Sequence, residues 1–161
     1  MKKTNNIPII IFRYFTVALM LIYISSLLLV TKISNADFAD VQQATTEQVD
    51  MQTVQQAGNR LIKRFYGLNA ADYTNIILYY SVTNMGAEEI FLIQLDDQSQ
   101  SAEVVQAIEA RLAAQKKSFA GYGIEQMELL DNSIINVQGN FILFVVNPNA
   151  KEIDQAFRDS L

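Results

Sequence analysis

The chain has 161 residues, enough for one domain with a substantial hydrophobic core. It contains no His, no Cys and no Trp, and its formal net charge is −5. A His-dependent catalytic triad, a Cys nucleophile, a disulfide and a zinc site built from Cys or His are therefore excluded. We predict no cofactor and no metal ion.

The amino-terminal segment has a composition of its own. Lys2, Lys3 and Arg13 precede an uncharged run of 17 residues, from Tyr14 to Val30. As an α-helix rising about 1.5 Å per residue, this run would span roughly 25 Å, near the minimum for crossing a bilayer. We predict a transmembrane helix, and the preceding positive charge predicts a cytoplasmic amino end with an extracytoplasmic remainder.

A cleavable signal peptide is the alternative for this segment. Ser34 and Ala36 are small residues at the −3 and −1 positions of a candidate cleavage site after Ala36. The apolar run is longer than the usual hydrophobic region of a signal peptide, which favours an uncleaved signal-anchor. The sequence thus predicts a single-pass protein of the cell membrane, with a secreted protein as the alternative.

The rest of the chain is strongly acidic. Residues 37–161 hold eight basic and seventeen acidic residues, a formal charge of −9. Such a surface repels phosphate, so we predict no nucleic-acid partner. After residues 1–36, the polar stretch 37–53 predicts a short helical stalk or a disordered linker, and residues 54–161 are predicted to form the extracytoplasmic domain.

The first predicted element of that domain is a helix. Val54, Ala57, Leu61 and Phe65 recur at intervals of three or four residues, which places them on one face of a helix. Gly67 follows at the position where a left-handed residue commonly ends a helix. We therefore predict a helix over residues 54–66.

A β-hairpin is predicted next. Residues 75–82 and 89–95 are rich in β-branched and aromatic side chains, and the link 83–86 contains Asn and Gly, which suit a turn. A four-residue loop pairs Tyr80 with Glu89. These two side chains then share one face of the sheet, which predicts a hydrogen bond between hydroxyl and carboxylate.

Glu88 and Glu89 resemble an acid/base pair in the linear sequence. Consecutive residues of a strand, however, point to opposite faces of the sheet. Two carboxylates that share a proton or flank a glycosidic bond must converge on one point. The pair is therefore not predicted to be a catalytic dyad.

The second half of the chain predicts three helices and another hairpin. Residues 99–119 form the clearest amphipathic helix, with Ser99 or Ser101 as its N-cap. Gly139–Asn140 suits a two-residue hairpin turn. The residues predicted to face the core are Val104, Ile108, Leu112, Phe119, Ile124, Met127, Leu130, Ile135, Val137, Ile142, Phe144, Val146, Ile153, Ala156, Phe157 and Leu161.

Two hairpins, each followed by a helix, predict an α+β domain. We expect a four-stranded, mainly antiparallel sheet with helices packed on one face, preceded by the transmembrane helix. The other face of the first hairpin also carries apolar side chains. Its cover is predicted to be the helix at 54–66, a second copy associating through the sheet, or another protein.

Few residues suggest chemistry. The sequence has no Gly-rich phosphate loop and no G-x-S-x-G motif, and the acidic stretch after residue 95 lacks the Gly and Glu of a calcium loop. Ser118 and Ser133 have no His to act as a base, and a Ser–Lys arrangement with Lys116 or Lys117 is the remaining nucleophile–base combination. The candidate binding residues, which combine aromatic, ionic and amide side chains, are Tyr79, Tyr80, Glu89, Arg111, Gln115 and Tyr122.

Four stretches, "RFYGLNAADY", "NMGAEEIFLIQL", "ARLAAQKKSFAGY" and "GNFILFVV", resemble domain-of-unknown-function family 4358. The resemblance covers about residues 37–161. It implies an exported, membrane-held domain of the Gram-positive bacterial envelope, with genes near membrane O-acyltransferases of cell-surface polymers. It implies no particular activity.

These observations predict a non-catalytic, membrane-anchored extracytoplasmic domain. Its predicted role is to bind or scaffold another cell-envelope protein, with a surface-polymer O-acylation system as a candidate. The alternative is a module that binds a small ligand or a cell-wall glycan, and the second alternative is a His-free hydrolase.

Overall fold

The computed structural model describes residues 13–23 and 33–161, and residues 33–161 form one compact unit. Residues 13–23 are helical with exposed side chains. Within the described ranges, no helix is long and apolar enough to cross a membrane. The predicted transmembrane segment, Tyr14–Val30, lies partly outside those ranges.

The compact unit is an α+β domain built on an antiparallel sheet with the strand order β1–β2–β3–β5–β4. Two short 3₁₀ turns precede β2 and α3, at Ala70–Asp72 and Gln98–Gln100. The helices and strands are α1 Phe38–Thr46, β1 Val54–Gln56, α2 Asn59–Tyr66, β2 Asn75–Ser81, β3 Glu89–Gln94, α3 Ser101–Phe119, α4 Ile124–Asp131, β4 Ile134–Gln138, β5 Phe141–Val146 and α5 Ala150–Asp159.

The sheet has five strands, so the prediction of four is wrong. The additional strand, β1, occupies the positions predicted as the start of the helix 54–66, and Val54 pairs with Ser81. Gly58 has an extended conformation, so the helix begins only at Asn59. Val54 and Ala57 are both buried. These two buried residues are three positions apart, as on one face of a helix, although Val54 lies in the strand and Ala57 in the loop that follows it.

The registers of both hairpins agree with the sequence. Tyr80 pairs with Glu89 in the first hairpin, and Gln138 pairs with Phe141 in the second. Gly139 has a φ of 60°, the positive value that a type II′ turn needs at its first central residue. The hairpins join through β3 and β5, which makes the sheet continuous.

Helices cover both faces of the sheet, so the prediction of helices on one face is wrong. α2, α3 and α4 pack on the face that includes Leu78, Phe91 and Phe144. α1 and α5 contribute to the cluster on the opposite face, which contains Ile77 and Leu92. The apolar second face of the first hairpin is therefore covered within the chain, and not by the helix that the sequence suggested.

The segment 37–53, predicted as a stalk or linker, lies within the compact unit. Asp37 caps α1 by accepting a hydrogen bond from the backbone nitrogen of Ala39 at 2.7 Å. Val41 is fully buried against the sheet. The few apolar residues of this segment suffice to hold it on the domain, because a short helix needs only a few contacts to pack on an existing sheet.

Two smaller expectations also differ from the structure. Ile124 was predicted to face the core, but it is 84% exposed at the first position of α4. The chain before α3 is capped by Asp97, which forms a capping box with Gln100, and not by Ser99 or Ser101. A 3₁₀ turn before the helix moves the cap toward the amino end.

Candidate binding pocket

Glu88 and Glu89 point in opposite directions, as the strand geometry predicts. The Glu88 carboxylate accepts hydrogen bonds from Thr53 Oγ1 at 2.7 Å and from Asn147 Nδ2 at 3.2 Å. Glu89 starts β3, is 1% exposed, and contacts side chains of α2 and α3. The two carboxylates therefore serve different environments and form no dyad.

The Glu89 carboxylate has several hydrogen-bond partners. Arg111 approaches it with Nη2 at 2.8 Å and Nε at 3.2 Å from Oε2, and Gln115 Nε2 donates to the same oxygen at 2.9 Å. The Tyr66 hydroxyl donates to Oε1. A buried carboxylate is stable when a cation and further donors satisfy it in this way. Both oxygens are engaged, so Glu89 is not free to act as a general base.

Two helices deliver these donors to the start of β3. Arg111 and Gln115 are four residues apart on α3, which places them on the same side of that helix. Tyr66 is the last residue of α2, immediately before Gly67, whose φ of 74° ends the helix. The site therefore depends on the packing of α2 and α3 over one face of the sheet.

The Arg111 guanidinium also contacts aromatic side chains. It lies 4.1 Å from the centroid of the Phe65 ring, within the range of a cation–π interaction. Phe65 in turn makes an edge contact with Tyr80, with ring centroids 5.8 Å apart. The Arg111 side chain is 20% exposed, and its guanidinium contacts both the Glu89 carboxylate and the Phe65 ring.

An open pocket of about 380 Å³ lies above this ion pair. Its volume falls in the range of small-molecule binding sites. Hydroxyl and amide groups of the β2–β3 loop and of α3 surround the opening. Residues that line it include Phe65, Tyr80, Thr83, Arg111, Gln115 and Ser118.

The pKa of the Tyr66 hydroxyl is raised well above 10, first because the group is buried and then because the Glu89 charge opposes a phenolate. The folded state therefore keeps this proton at a pH where the unfolded chain releases it. The resulting stability is fully present below pH 10 and is lost as the pH rises above it.

We expect Tyr66→Phe to lower the free energy of unfolding at pH 7 by about 1.5–3 kcal/mol, because Glu89 loses a donor. As the pH rises above 10, the free energy of unfolding of the wild type should fall more steeply than that of Tyr66→Phe, by up to about 1.4 kcal/mol per pH unit. Urea unfolding between pH 8 and 11 measures both effects. Tyr122→Phe controls for removal of a hydroxyl elsewhere; equal pH slopes for wild type and Tyr66→Phe would contradict the assignment.

The structure brings together four of the six predicted binding residues: Tyr80, Glu89, Arg111 and Gln115. Tyr79 lies in the core cluster of the opposite face, where its hydroxyl accepts a hydrogen bond from Gln42 Nε2 at 3.0 Å. Tyr79 faces that cluster, and Tyr80 the pocket, because consecutive residues of a strand point to opposite faces of the sheet.

The other predicted residue, Tyr122, is 62% exposed and lines a neighbouring groove with Met85 and Ile124. The hydroxyl that bonds Glu89 belongs to Tyr66, so the prediction of a Tyr80–Glu89 hydrogen bond is wrong. The predicted inward face of the helix contains Phe65, and it therefore excludes the adjacent Tyr66. The spacing of Ile62 and Tyr66, both buried, was the available signal.

In the part of the chain that the structure describes, no three acidic, His or Cys side chains are grouped to hold a metal ion. The fold and the site define a small α+β domain with a polar pocket over a buried ion pair.

The sequence model of the family described as "Domain of unknown function (DUF4358)" matches residues 47–147, so the chain belongs to that family. The match runs from before β1 to the end of β5 and includes every residue of the Glu89 network. It confirms the resemblance inferred from the sequence. No curated protein and no solved structure matches the chain.

Proposed function

We propose that this domain is a non-catalytic, extracytoplasmic binding module of the cell envelope, and that the pocket above Glu89 and Arg111 holds a small neutral ligand. The observation that carries the proposal is the open pocket of about 380 Å³ built on a rigid, buried ion pair. A fixed polar floor with aromatic walls is typical of binding sites.

The charge of the site favours a neutral ligand. Glu89 already compensates the charge of Arg111 within the pocket. The surrounding residues 37–161 carry a formal charge of −9, which repels anions. A cation would meet the Arg111 guanidinium at the floor.

A pocket-blocking variant tests this proposal. Ser118 lines the pocket on α3 and is exposed, so Ser118→Trp should fill the opening without touching the Glu89 network. Lys117→Trp places the same side chain at the neighbouring exposed position, outside the pocket lining. The chain has no other Trp, so each variant also carries its own fluorescence reporter.

The binding assay uses the full chain in a detergent without a sugar headgroup and a library of small neutral compounds. We expect compounds that bind the wild type and Lys117→Trp, as seen by ligand-observed NMR, and lose binding to Ser118→Trp. Equal binding to both Trp variants would place the ligand elsewhere and refute the proposed pocket.

The absence of catalysis is part of the proposal. Glu89 is occupied by Tyr66, Arg111 and Gln115, and Lys116, one of the two candidate bases for Ser118, is paired with Asp131 at 2.8 Å. A His-free hydrolase is the competing hypothesis. Turnover of esters or glycans by the purified chain, lost in Ser118→Ala, would establish it.

We also propose that the amino-terminal segment stays attached as the membrane anchor. The backbone nitrogen of Ser34 donates to Asn140 Oδ1 at 2.9 Å, and Ser34 Oγ donates to the backbone oxygen of Leu161 at 3.1 Å. Ala36 packs against the second core cluster. The residues before the candidate cleavage site therefore contribute contacts to the folded domain, and cleavage after Ala36 would remove them.

The expected result is a protein of uncleaved mass in the membrane fraction, with its carboxyl-terminal domain accessible to protease outside the cell. Intact-mass spectrometry and protease treatment of whole cells measure these two properties. A mature chain beginning at Asp37 would support the secreted alternative instead.

Binding of an envelope protein is the second candidate function, with a surface-polymer O-acylation system as one such partner. Four apolar side chains are exposed around the β2–β3 loop and the start of α4, a surface favourable for protein contacts. They are Val82, Met85, Tyr122 and Ile124, exposed by 47%, 68%, 62% and 84%.

Crosslinking in intact membranes tests this second candidate. We expect a specific crosslinked partner that Met85→Glu loses and Met51→Glu keeps, since Met51 is 47% exposed outside the lining of that groove. A crosslink to a second copy of the chain would show self-association. Identical crosslinking of both variants would exclude the apolar surface as the contact.

A further inference from the structure

One buried polar atom of the pocket has no partner. Gln115 is 7% exposed, and its Oε1 is the single buried side-chain nitrogen or oxygen without a hydrogen bond among residues 13–23 and 33–161. Native proteins rarely leave such an acceptor unsatisfied. Gln115 lines the open pocket, so the unpaired oxygen points to a donor that the protein itself does not supply.

The orientation of this amide is determined by Glu89. Gln115 Nε2 donates to the Glu89 carboxylate at 2.9 Å. The reversed amide would place an acceptor oxygen against a carboxylate oxygen, which is unfavourable. Oε1 therefore faces away from Glu89 and remains an acceptor.

Arg111 supplies donors beside this acceptor. Its guanidinium carries five N–H groups, and Glu89 accepts bonds from Nε and Nη2. Nη1 makes none of these bonds to Glu89. Arg111 and Gln115 line the same pocket, which therefore presents a guanidinium nitrogen not bonded to Glu89 together with an unpaired acceptor.

We propose that Gln115 Oε1 and Arg111 Nη1 bind neighbouring hydroxyl groups of a neutral sugar ring; this inference rests on the proposed pocket function. A hydroxyl group both donates and accepts, so adjacent hydroxyls satisfy the two groups at once. Tyr80 and Phe119 line the same pocket and supply apolar area for the C–H face of the ring. Ser81, Thr83 and Ser118 add hydroxyl groups around the opening.

The test uses the full chain in a detergent without a sugar headgroup and measures dissociation constants by NMR. The probes are methyl glucoside, methyl N-acetylglucosaminide, a short cell-wall glycan chain and the monodeoxy analogues of methyl glucoside, with glucuronate as the charged probe. We expect neutral sugars to bind and removal of one of the recognised hydroxyls to weaken binding about tenfold or more, because a buried partner is left unpaired.

Two variants of neighbouring residues locate the binding site on α3. Gln115→Met keeps the size of the side chain but removes both the acceptor and the bond from Nε2 to Glu89, and should abolish sugar binding. Lys116→Met, the next residue of α3 and outside the pocket lining, should leave the dissociation constant unchanged. The deoxy series on the wild type decides the question even if Gln115→Met fails to fold.

The outcomes distinguish the sugar assignment from the pocket itself. If a neutral non-sugar compound perturbs the Gln115 side-chain amide while neutral sugars do not, the sugar assignment is overturned and the neutral-ligand pocket stands. If only glucuronate perturbs it, both the sugar assignment and the neutral character of the ligand are overturned. If no compound perturbs that amide, both are overturned. Equal affinity of every deoxy analogue would show that Oε1 bonds a structural water only.

Discussion

Arg111→Met is expected to destabilise the domain by about 3–5 kcal/mol, because it leaves the Glu89 carboxylate buried without its cation. Glu89 is 1% exposed, so its charge is compensated by the guanidinium rather than by solvent. Met preserves the apolar stem that contacts Phe65, which limits the change to the charged group. At about 2–4 °C per kcal/mol, Tm should fall by roughly 10 °C.

Lys116→Met is the matched control on the same helix. The Lys116–Asp131 pair has the same nitrogen–oxygen distance as the Arg111–Glu89 pair, 2.8 Å, but the Asp131 side chain is 60% exposed. We expect a change within about 1 kcal/mol. Urea unfolding of both variants measures the difference, and equal losses would mean that burial of Glu89 does not govern the pair.

A double variant distinguishes the stabilisation that the Glu89–Arg111 pair provides from the free-energy cost of leaving one charge buried alone. Glu89→Leu combined with Arg111→Met removes both ions, so the double variant should be more stable than Arg111→Met alone. Additive losses would show that the two residues act independently.

Val41→Asp is expected to cost about 3–5 kcal/mol, because it places an unpaired carboxylate in the core. Val41 is fully buried in the cluster that also contains Leu92 and Phe157. If the segment 37–53 were a stalk separate from the domain, this substitution would have almost no effect. The unfolding free energy therefore reports directly whether α1 belongs to the core.

Ala39→Asp provides the control for this variant. Ala39 is exposed on the same helix, two residues away, and lies in the first turn. An acidic side chain there interacts favourably with the amino end of a helix, so we expect a change of about 0.5 kcal/mol or less. Loss of stability in both variants would indicate that added negative charge, rather than burial, is responsible.

The hairpins could be predicted from the sequence because local residues determine their registers. The link 83–86 and the turn Gly139–Asn140 fix which residues pair, and alternation then assigns the faces. The inward residues Phe91, Ile142 and Phe144 follow from those two registers, and all three are buried.

β1 and α1 could not be predicted in the same way. β1 has three residues, too few for an alternating pattern, and becomes a strand by pairing with β2. α1 carries few apolar residues, and its position over the second face depends on contacts with α5 and the sheet. Both are consequences of tertiary packing that local periodicity does not contain.

The candidate site was partly accessible to sequence reasoning. Arg111 and Gln115 could be recognised from their spacing beside the apolar stripe of a helix, and Glu89 from its register. Tyr66 is 23 residues from Glu89 in the sequence, and its contact requires the packing of α2 over β3. No local pattern specifies a contact between elements of that kind.

The adjacency of β3 and β5 has a consequence for how the chain folds. The central strand, β3, pairs with β2 of its own hairpin on one side and with β5 of the second hairpin on the other, with Phe91 opposite Phe144, more than fifty residues apart. Phe91 and Phe144 belong to one core cluster, so each half of the chain alone leaves that cluster incomplete until the two meet. Folding should therefore proceed in a single cooperative step whose rate is limited by this distant encounter, and no half-folded species should accumulate.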